Sequence, residues 1–363
     1  MPAPSLAASD LSPHFLLDAD YYTNPVWVAQ ETERIFKKNW LYVGDSDRLQ
    51  PGQVWALTIA GQPIVITCLA PGEFKAFYNV CPHRAALLCA PEGIHASKHL
   101  VCPYHAWVYD LTGHLIGVPS EHFFPTEFDR QAYPLKPIRV ECWSGFLFVS
   151  FSDTASPLET YLGSITTYLG QHRRAETQHL FSQSTTVACN WKNYHDNTLC
   201  DYHVAIAHRT TLHRIQGPIK NYGHQLEDYV NVLYTPPTKQ WVAENHILPD
   251  IPTFAQENFL TYGIFPNLHL LGFPDGTLAW IHIEPLTVEA CEVRLEVYGI
   301  PGICLSPEIL KAEFDAFMTE DVSLTESAQQ GYASGQYVPG PVNALEARIV
   351  HQQQLILDYL KFV

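Results

Sequence analysis

Basic side chains are scarce in this 363-residue chain. Lysine and arginine total 21 against 37 aspartates and glutamates, a formal charge of 21 − 37 = −16. Nucleic acid and acidic membrane surfaces attract basic patches, so neither is an expected partner. No apolar run approaches the roughly eighteen residues of a spanning helix. The first fifteen residues, MPAPSLAASDLSPHF, have neither the basic head nor the long apolar core of a signal peptide. These absences set the expectation of a cytoplasmic protein whose thiols stay reduced. Internal repeats, low-complexity tracts and the G-x-G-x-x-G fingerprint of a flavin or nicotinamide site are also missing. The nine cysteines (68, 81, 89, 102, 142, 189, 200, 291, 304) form an odd, scattered set. That excludes a disulfide framework and leaves metal ligation as the natural use of those that cluster.

The length suits about two domains. Residues 21–40 carry helical periodicity. From 41 to about 155 short apolar runs such as "QVWALTIAG", "PIVITC" and "GFLFVSF" alternate with Gly and Pro, a β texture. A helical stretch between 154 and 180, "SPLETYLGSITTYLGQH", marks a boundary. Residues 181–215 start as a strand and continue as a helix. Strands follow at 259–271, 277–284 and 291–299, and helices at 306–331 and 342–362. Strands followed by grouped helices predict an α+β fold. The expected divisions are an N-terminal helical segment (1–40) packing on the last domain, a β domain (41–155) and a second domain (156–363).

Residues 81–107, "CPHRAALLCAPEGIHASKHLVCPYHAW", bring Cys81-x-His83 and, after eighteen residues, Cys102-x-x-His105. Two Cys and two His suit a tetrahedral zinc, but zinc knuckles usually pair Cys with Cys. One Cys and one His per knuckle suits a cluster whose two irons need different ligands, a Rieske [2Fe–2S] centre. Cys89, His95 and His99 lie between the knuckles without matching spacing and read as loop or core residues.

A β domain of that kind leaves about 200 residues for another task. "NWKNYHDNTLCDYHVAIAH" (190–208) offers His203 and His208, an H-x4-H pair. Two histidines and a carboxylate make the facial triad of non-haem Fe(II) oxygenases. On an ideal helix a separation of five turns the rings about 140° apart, so a ligand pair requires the helix to loosen or end between them. The alternative is two polar histidines on different faces of a surface helix. For the carboxylate, Asp315, Glu320, Asp321 and Glu326 all compete on composition.

"CPHRA" and "CPYHAWVYDLTG" resemble the Rieske signature of ring-hydroxylating oxygenase α subunits, with alanine at both positions where that family usually has glycine. "YYTNPVWVAQETERIFKKNWLYVGD" resembles the N-terminal segment of the same family, including its choline, betaine and carnitine monooxygenase branch. "NWKNYHDNTLCDYHVAIAH" and "MTEDVSLTESAQQG" (318–331) resemble its iron-binding stretches. The resemblance implies a Rieske antiparallel β domain and a helix-grip, START-like catalytic domain. It implies a [2Fe–2S] cluster on Cys81, His83, Cys102 and His105, and a mononuclear Fe(II) on His203, His208 and Asp321. The implied activity is hydroxylation or oxidative demethylation of a small molecule with O₂, fed by a separate ferredoxin or NAD(P)H-dependent reductase, in a homotrimer. Ring dihydroxylation is the alternative within the family. An electron-transfer Rieske protein and a zinc-stabilised binding protein are alternatives outside it.

One position departs from the family. A carboxylate usually stands three residues before the first histidine and bridges to a cluster histidine of the neighbouring subunit. Here Cys200 stands there, with Asp201 beside it. On a regular helix residue 200 lies about 60° from His203 and residue 201 about 160°. A thiol is a weak donor and poor acceptor, so Asp201 is the expected bridge, ahead of Asp196. In "TLAWIHIEP" either Trp280, His282 and Glu284 or Ala279, Ile281 and Ile283 face the pocket. Tyr194, Tyr202 and Phe265 are candidate aromatic walls.

Overall fold

The computed structural model describes residues 11–90 and 92–361, so part of the expected N-terminal segment lies outside the described residues. Phe36–Leu158 form one compact unit; residues up to Ile35 and from Glu159 form the other. Phe36–Trp40, expected with the N-terminal helix, therefore belong to the first unit. Among the described residues no helix is long and apolar enough to cross a membrane.

The Phe36–Leu158 unit contains β1 (Leu41–Asp45), β2 (Gln53–Ile59), β3 (Gln62–Ala70), β4 (Glu73–Tyr78), β5 (Gly93–Ala96), β6 (Leu100–Val101), β7 (Val108–Tyr109), β8 (Leu115–Gly117), β9 (Pro137–Trp143) and β10 (Phe146–Ser150). An antiparallel sheet runs in the order β1-β10-β9-β4-β3-β2-β5, beside a three-stranded sheet β6-β7-β8. β3 buries Ile64, Val65, Ile66, Thr67 and Cys68 in succession, a largely β-branched run suited to a strand covered on both faces. Val54, Val65, Phe77, Trp107 and Tyr109 pack into one core that includes Cys81 and Cys102. At Gly113 a Cβ would collide with the Phe77 ring, so the β7–β8 turn needs glycine there.

Two loops of this unit share one backbone pattern. In the first, between β4 and β5, Cys81 N–H donates to Ala86 O (2.9 Å) and Ala85 N–H to Cys81 O (2.9 Å). In the second, between β6 and β7, Cys102 N–H donates to Trp107 O (2.8 Å) and Ala106 N–H to Cys102 O (2.9 Å). Closing each loop this way puts Ala85 at φ 58° and Ala106 at φ 53°. Those left-handed values suit glycine and crowd a Cβ.

The other unit holds β11 (Gln178–Val187), β12 (Gly223–Leu226), β13 (Val230–Thr235), β14 (Phe259–Ile264), β15 (Leu268–Gly272), β16 (Leu278–Thr287) and β17 (Ala290–Gly299). Strands β12 to β17 form an antiparallel meander, and β11 closes its far edge against β17. The strand expected at 259–271 is two, because Pro266 in the middle has no N–H to donate. Its helices include α1 (Val26–Arg34), α2 (Trp191–Thr198), α3 (Val204–Ala207), α4 (Pro307–Ala333) and α5 (Ala347–Leu360). The α+β class expected from the sequence holds.

Helix α4 starts with Ser306 at its cap and Pro307 in its first turn, where proline's missing N–H is harmless. Leu310, Phe314, Phe317, Met318, Asp321, Thr325 and Gln329 are buried at intervals of mostly three or four. Asp321 therefore stands on an otherwise largely apolar stripe.

Helix α2 is held by buried polar groups. Asn190 caps it by accepting from Lys192 N–H (3.0 Å). Lys192 Nζ meets Glu31 of α1 at 2.5 Å, and Trp191 Nε1 donates to the same carboxylate at 2.7 Å. Tyr22 Oη (2.6 Å) and Gln353 Nε2 (3.1 Å) donate to Asp196.

Two outcomes follow. Ala85→Gly and Ala106→Gly, by relieving the left-handed backbone, should each raise stability by up to about 1 kcal/mol, read as a higher midpoint for thermal unfolding of the Phe36–Leu158 unit. Glu31→Ala leaves the Lys192 ammonium buried without its partner. It should cost about 3–5 kcal/mol, measured by denaturant unfolding as the transition of the unit that carries α1 and α2; a loss below about 1 kcal/mol would show that the pair is dispensable.

Candidate metal centres

Each of the two loops with the shared backbone pattern carries one thiol and one imidazole. Cys81 and Cys102 are buried, and neither is in a disulfide. Burial, foremost, pushes the Cys81 thiol up; Tyr109 Oη at 3.5 Å from its sulfur partly opposes the shift, and the Cys102 thiol adds to it. The His83 and His105 rings lie 4.5 Å apart at 63°, with His83 stacked flat on Trp107 (4.7 Å, 3°). Nδ1 of each ring is buried with no hydrogen-bond partner. Such atoms are rare unless something absent from the protein chain satisfies them. Burial, with His105 and Arg84 nearby, lowers His83, so its imidazole is neutral and ready to ligate. Two thiols and two orphaned imidazole nitrogens on paired loops fit a [2Fe–2S] cluster with thiolates on one iron and imidazoles on the other.

Asn79 fixes the first loop by accepting from Leu88 N–H and Cys89 N–H (both 3.0 Å) and donating to Cys89 O (2.7 Å). Cys89 packs against the core, His95 sits on β5 and His99 is exposed. Cys89 and His99 have the core and loop places expected of them, whereas His95 lies partly buried on a strand.

In the other unit His203, His208 and Asp321 converge, with one donor atom from each lying within 4.8 Å of the others. His203 precedes α3 and His208 follows it; this single short turn is the interruption the H-x4-H spacing required. His208 Nε2 is 3.0 Å from Asp321 Oδ1 and His203 Nε2 3.5 Å. Asn197 Nδ2 donates to the same oxygen at 2.7 Å. Burial opposes charging His203, but Asp321 and Cys200 outweigh it and raise the imidazole to about 9. Burial likewise works against the Asp321 carboxylate, yet His203 and His208 hold it below its ordinary range.

The competing acids are elsewhere engaged. Glu320 meets Nδ1 of His208 at 2.7 Å and accepts from Thr211 Oγ1 at 2.7 Å. Glu326 accepts from Ala188 N–H, and Asp315 pairs with Lys311 on the surface. A carboxylate on the outer nitrogen of a histidine fixes its tautomer, so that Nε2 of His208 faces the other donors. Neither this supporting role of Glu320 nor that of Asn197 was legible in the sequence, since each depends on which residues face across the fold.

Asp201 is not free for the bridging role expected of it. It is 2% exposed and turned inward. Arg348 Nη1 lies 3.1 Å from one of its oxygens and His224 Nε2 2.9 Å from the other. The residues between α2 and α3 are not regularly helical, so the angles that separated positions 200 and 201 do not apply. Asp196, the second choice, is buried against Tyr22 and Gln353, and burial raises its carboxyl to about 7. Beside Cys200 stands Glu346, whose Oε1 accepts from the thiol at 3.9 Å.

A cavity opens at the converging donors, walled mainly by apolar groups including Tyr194, Phe259, Phe273 and Phe317. Ile281 lines it, which puts the Ala279, Ile281, Ile283 face of β16 inward. His282, on the opposite face, bonds Arg294 and Asn267. Of the candidate aromatic walls only Tyr194 lines the cavity; Tyr202 is exposed and Phe265 is buried elsewhere.

Known proteins fit this geometry. The model of the ring hydroxylating alpha subunit catalytic domain matches residues 169–361. That of the Rieske [2Fe–2S] domain matches 39–128. The carnitine monooxygenase oxygenase subunit of Escherichia coli (strain K12) is 28% identical over 354 residues, covering 91% of each chain. The chloroplastic choline monooxygenase of Spinacia oleracea is 28% identical over 343 residues, 88% of this chain and 73% of the relative. Among solved structures, the quaternary ammonium Rieske monooxygenase CntA in complex with L-carnitine superposes with a TM-score of 0.78 at 25% identity, over 97% of both chains. Naphthalene 1,2-dioxygenase from Rhodococcus sp. shares the fold at a TM-score of 0.74 and 20% identity, over 95% of this chain and 93% of its own. The chain belongs to the ring-hydroxylating alpha-subunit family: it is a Rieske terminal oxygenase with a [2Fe–2S] cluster and a mononuclear iron, and it oxidises a small organic molecule with O₂.

Proposed function

We propose that the chain is the oxygenase component of a monooxygenase acting on a small quaternary ammonium compound. In this reading Cys81, His83, Cys102 and His105 hold the cluster, and His203, His208 and Asp321 hold the iron. The observation that carries the iron assignment is the convergence of three donors from two distant segments within 4.8 Å. The orphaned Nδ1 atoms of His83 and His105 support the cluster assignment. Relatives that span about nine-tenths of this chain are named for carnitine, choline and glycine betaine. The aromatic walls suit them, since ring faces attract quaternary ammonium groups that cannot donate hydrogen bonds.

When bound, the cluster supplies electrons singly and the iron supplies O₂ reduction and C–H oxidation. The chain's residues do the rest. Glu320 orients His208, Asn197 holds one Asp321 oxygen, and the apolar wall excludes water and fixes the substrate. Electrons arrive from a separate ferredoxin or NAD(P)H-dependent reductase. The assembly is a closed ring of like chains, most simply a homotrimer, acting in the cytoplasm, where thiols stay reduced. For the bridge between neighbours we favour Glu346 over Asp201. Burial pushes its carboxyl up on balance, against the Asn343 N–H on one oxygen and the nearby His203 and Cys200, and it is only half-buried.

Purified protein should contain about three irons per chain, two in the cluster and one in the triad. Asp321→Ala should lower this to about two, retain the Rieske spectrum and abolish substrate-dependent O₂ uptake; Cys102→Ser should bleach the spectrum. Full turnover by Asp321→Ala would overturn the triad. Glu346→Gln should keep cluster and iron but slow single-turnover reduction of the iron centre. Asp201→Asn should instead weaken folding, by breaking a buried charge pair.

A further inference from the structure

His269 lies on β15, in register with Gly263 of β14 and Ile281 of β16. Its imidazole lines the same cavity as His203, His208 and Asp321, yet no role described so far involves it. The residue is 3% exposed and its Nδ1 is buried with no hydrogen-bond partner. Burial, with Arg348 and His195 nearby, drives its pKa well below 6.5, so the ring is uncharged. A neutral imidazole offers one donor and one acceptor. Nδ1 is occluded, so a group that enters the cavity meets the other ring nitrogen, Nε2, which has no hydrogen-bond partner among the described residues and is not shut off like Nδ1.

The rest of the lining restricts that partner. Among the described residues around the cavity none is lysine or arginine. Its two carboxylates, Asp201 and Asp321, are already engaged by Arg348 and His224 and by His203, His208 and Asn197. Arg348 stands behind Asp201, fully buried, with Nε donating to Asn231. A substrate carboxylate would find no lysine or arginine there, and His203 and His208 are already paired with Asp321; a buried anion without a partner is strongly disfavoured. A hydroxyl would find His269.

We propose that His269 is the specificity-determining residue of this cavity, hydrogen-bonding the hydroxyl of a trimethylammonium alcohol, and that the cavity discriminates against trimethylammonium carboxylates. This rests on the quaternary ammonium reading above and narrows it.

Calorimetric binding to the holoenzyme tests it with three probes: choline, glycine betaine and tetramethylammonium. The wild type should bind choline about tenfold more tightly than tetramethylammonium, the worth of one good hydrogen bond. Glycine betaine should gain no such advantage. His269→Leu should reduce choline to the affinity of tetramethylammonium, while His269→Gln, which keeps a donor and an acceptor, should recover part of the difference. Glycine betaine binding more tightly than choline would overturn the proposal, and so would a choline advantage that survives in His269→Leu. If both variants fail to fold, the wild-type ranking alone decides. Equal binding of all three probes overturns the role of His269 and leaves the quaternary ammonium reading standing. Binding of none, with iron content and Rieske spectrum intact, overturns that reading and this proposal with it.

Discussion

Taking an ionised carboxylate out of water costs several kcal/mol unless charges and hydrogen bonds replace its hydration. Asp321 stands in that position, on the buried stripe of a 27-residue helix between Met318 and Thr325. Everything around it supplies the replacement: two imidazoles at 3.0 and 3.5 Å and the Asn197 amide at 2.7 Å. Replacing those partners with apolar groups of equal volume would give a better-packed helix and no site. The donor set is therefore a local sacrifice of packing, held in place by the apolar residues on either side of it.

The same constraint repeats outward through the catalytic unit. Lys192 and Glu31, Arg348 and Asp201, and Asp196 with Tyr22 and Gln353 are all buried and each is partnered. Breaking any one by removing a single partner strands a charge or a donor, which is worse than never having buried it. These pairs flank α2 and the turn that follows it, the segments that deliver Asn197, His203 and His208. Rigidity near the site comes from polar groups with few alternatives, as a preorganised centre requires.

Much of this was legible in the sequence because the chemistry is local there. Each Cys–His pair sits within one loop, so spacing alone separated Cys81, His83, Cys102 and His105 from Cys89, His95 and His99. The class of fold was likewise readable from runs such as β3 and β10, where apolar residues, many of them β-branched or aromatic, follow one another. Asp321 was reachable only through resemblance, since Glu320 one residue away is chemically similar. What selects between them is a helical turn of about 100°, which points one at the donors and the other at the back of His208. β12 went unread because His and Gln leave it a single large apolar side chain, and β13 because six residues, apolar at Val230, Val232, Leu233 and Tyr234, are too short a run for periodicity to separate strand from helix. His269 was invisible for a related reason: a histidine in a strand carries no sign of whether its nitrogen is satisfied.

Asp201 is the more instructive position, because what turns it inward is also what lets His203 and His208 converge. Continued helix through residues 199–208 would have kept His203 and His208 about 140° apart. Instead the Asp201 N–H donates to Leu345 O at 3.2 Å, a residue just before α5. Its carboxylate is drawn the same way, onto Arg348 of α5 and His224 of β12. With backbone and side chain both committed to distant partners, the chain leaves the helical path after α2 and resumes it only for the four residues of α3. His203 and His208, at the two ends of that short turn, are then free to face one point. The inward turn of Asp201 thus removes it as a link to a neighbouring chain, leaves Cys200 beside Glu346, and supplies the break on which the convergence of the two histidines depends.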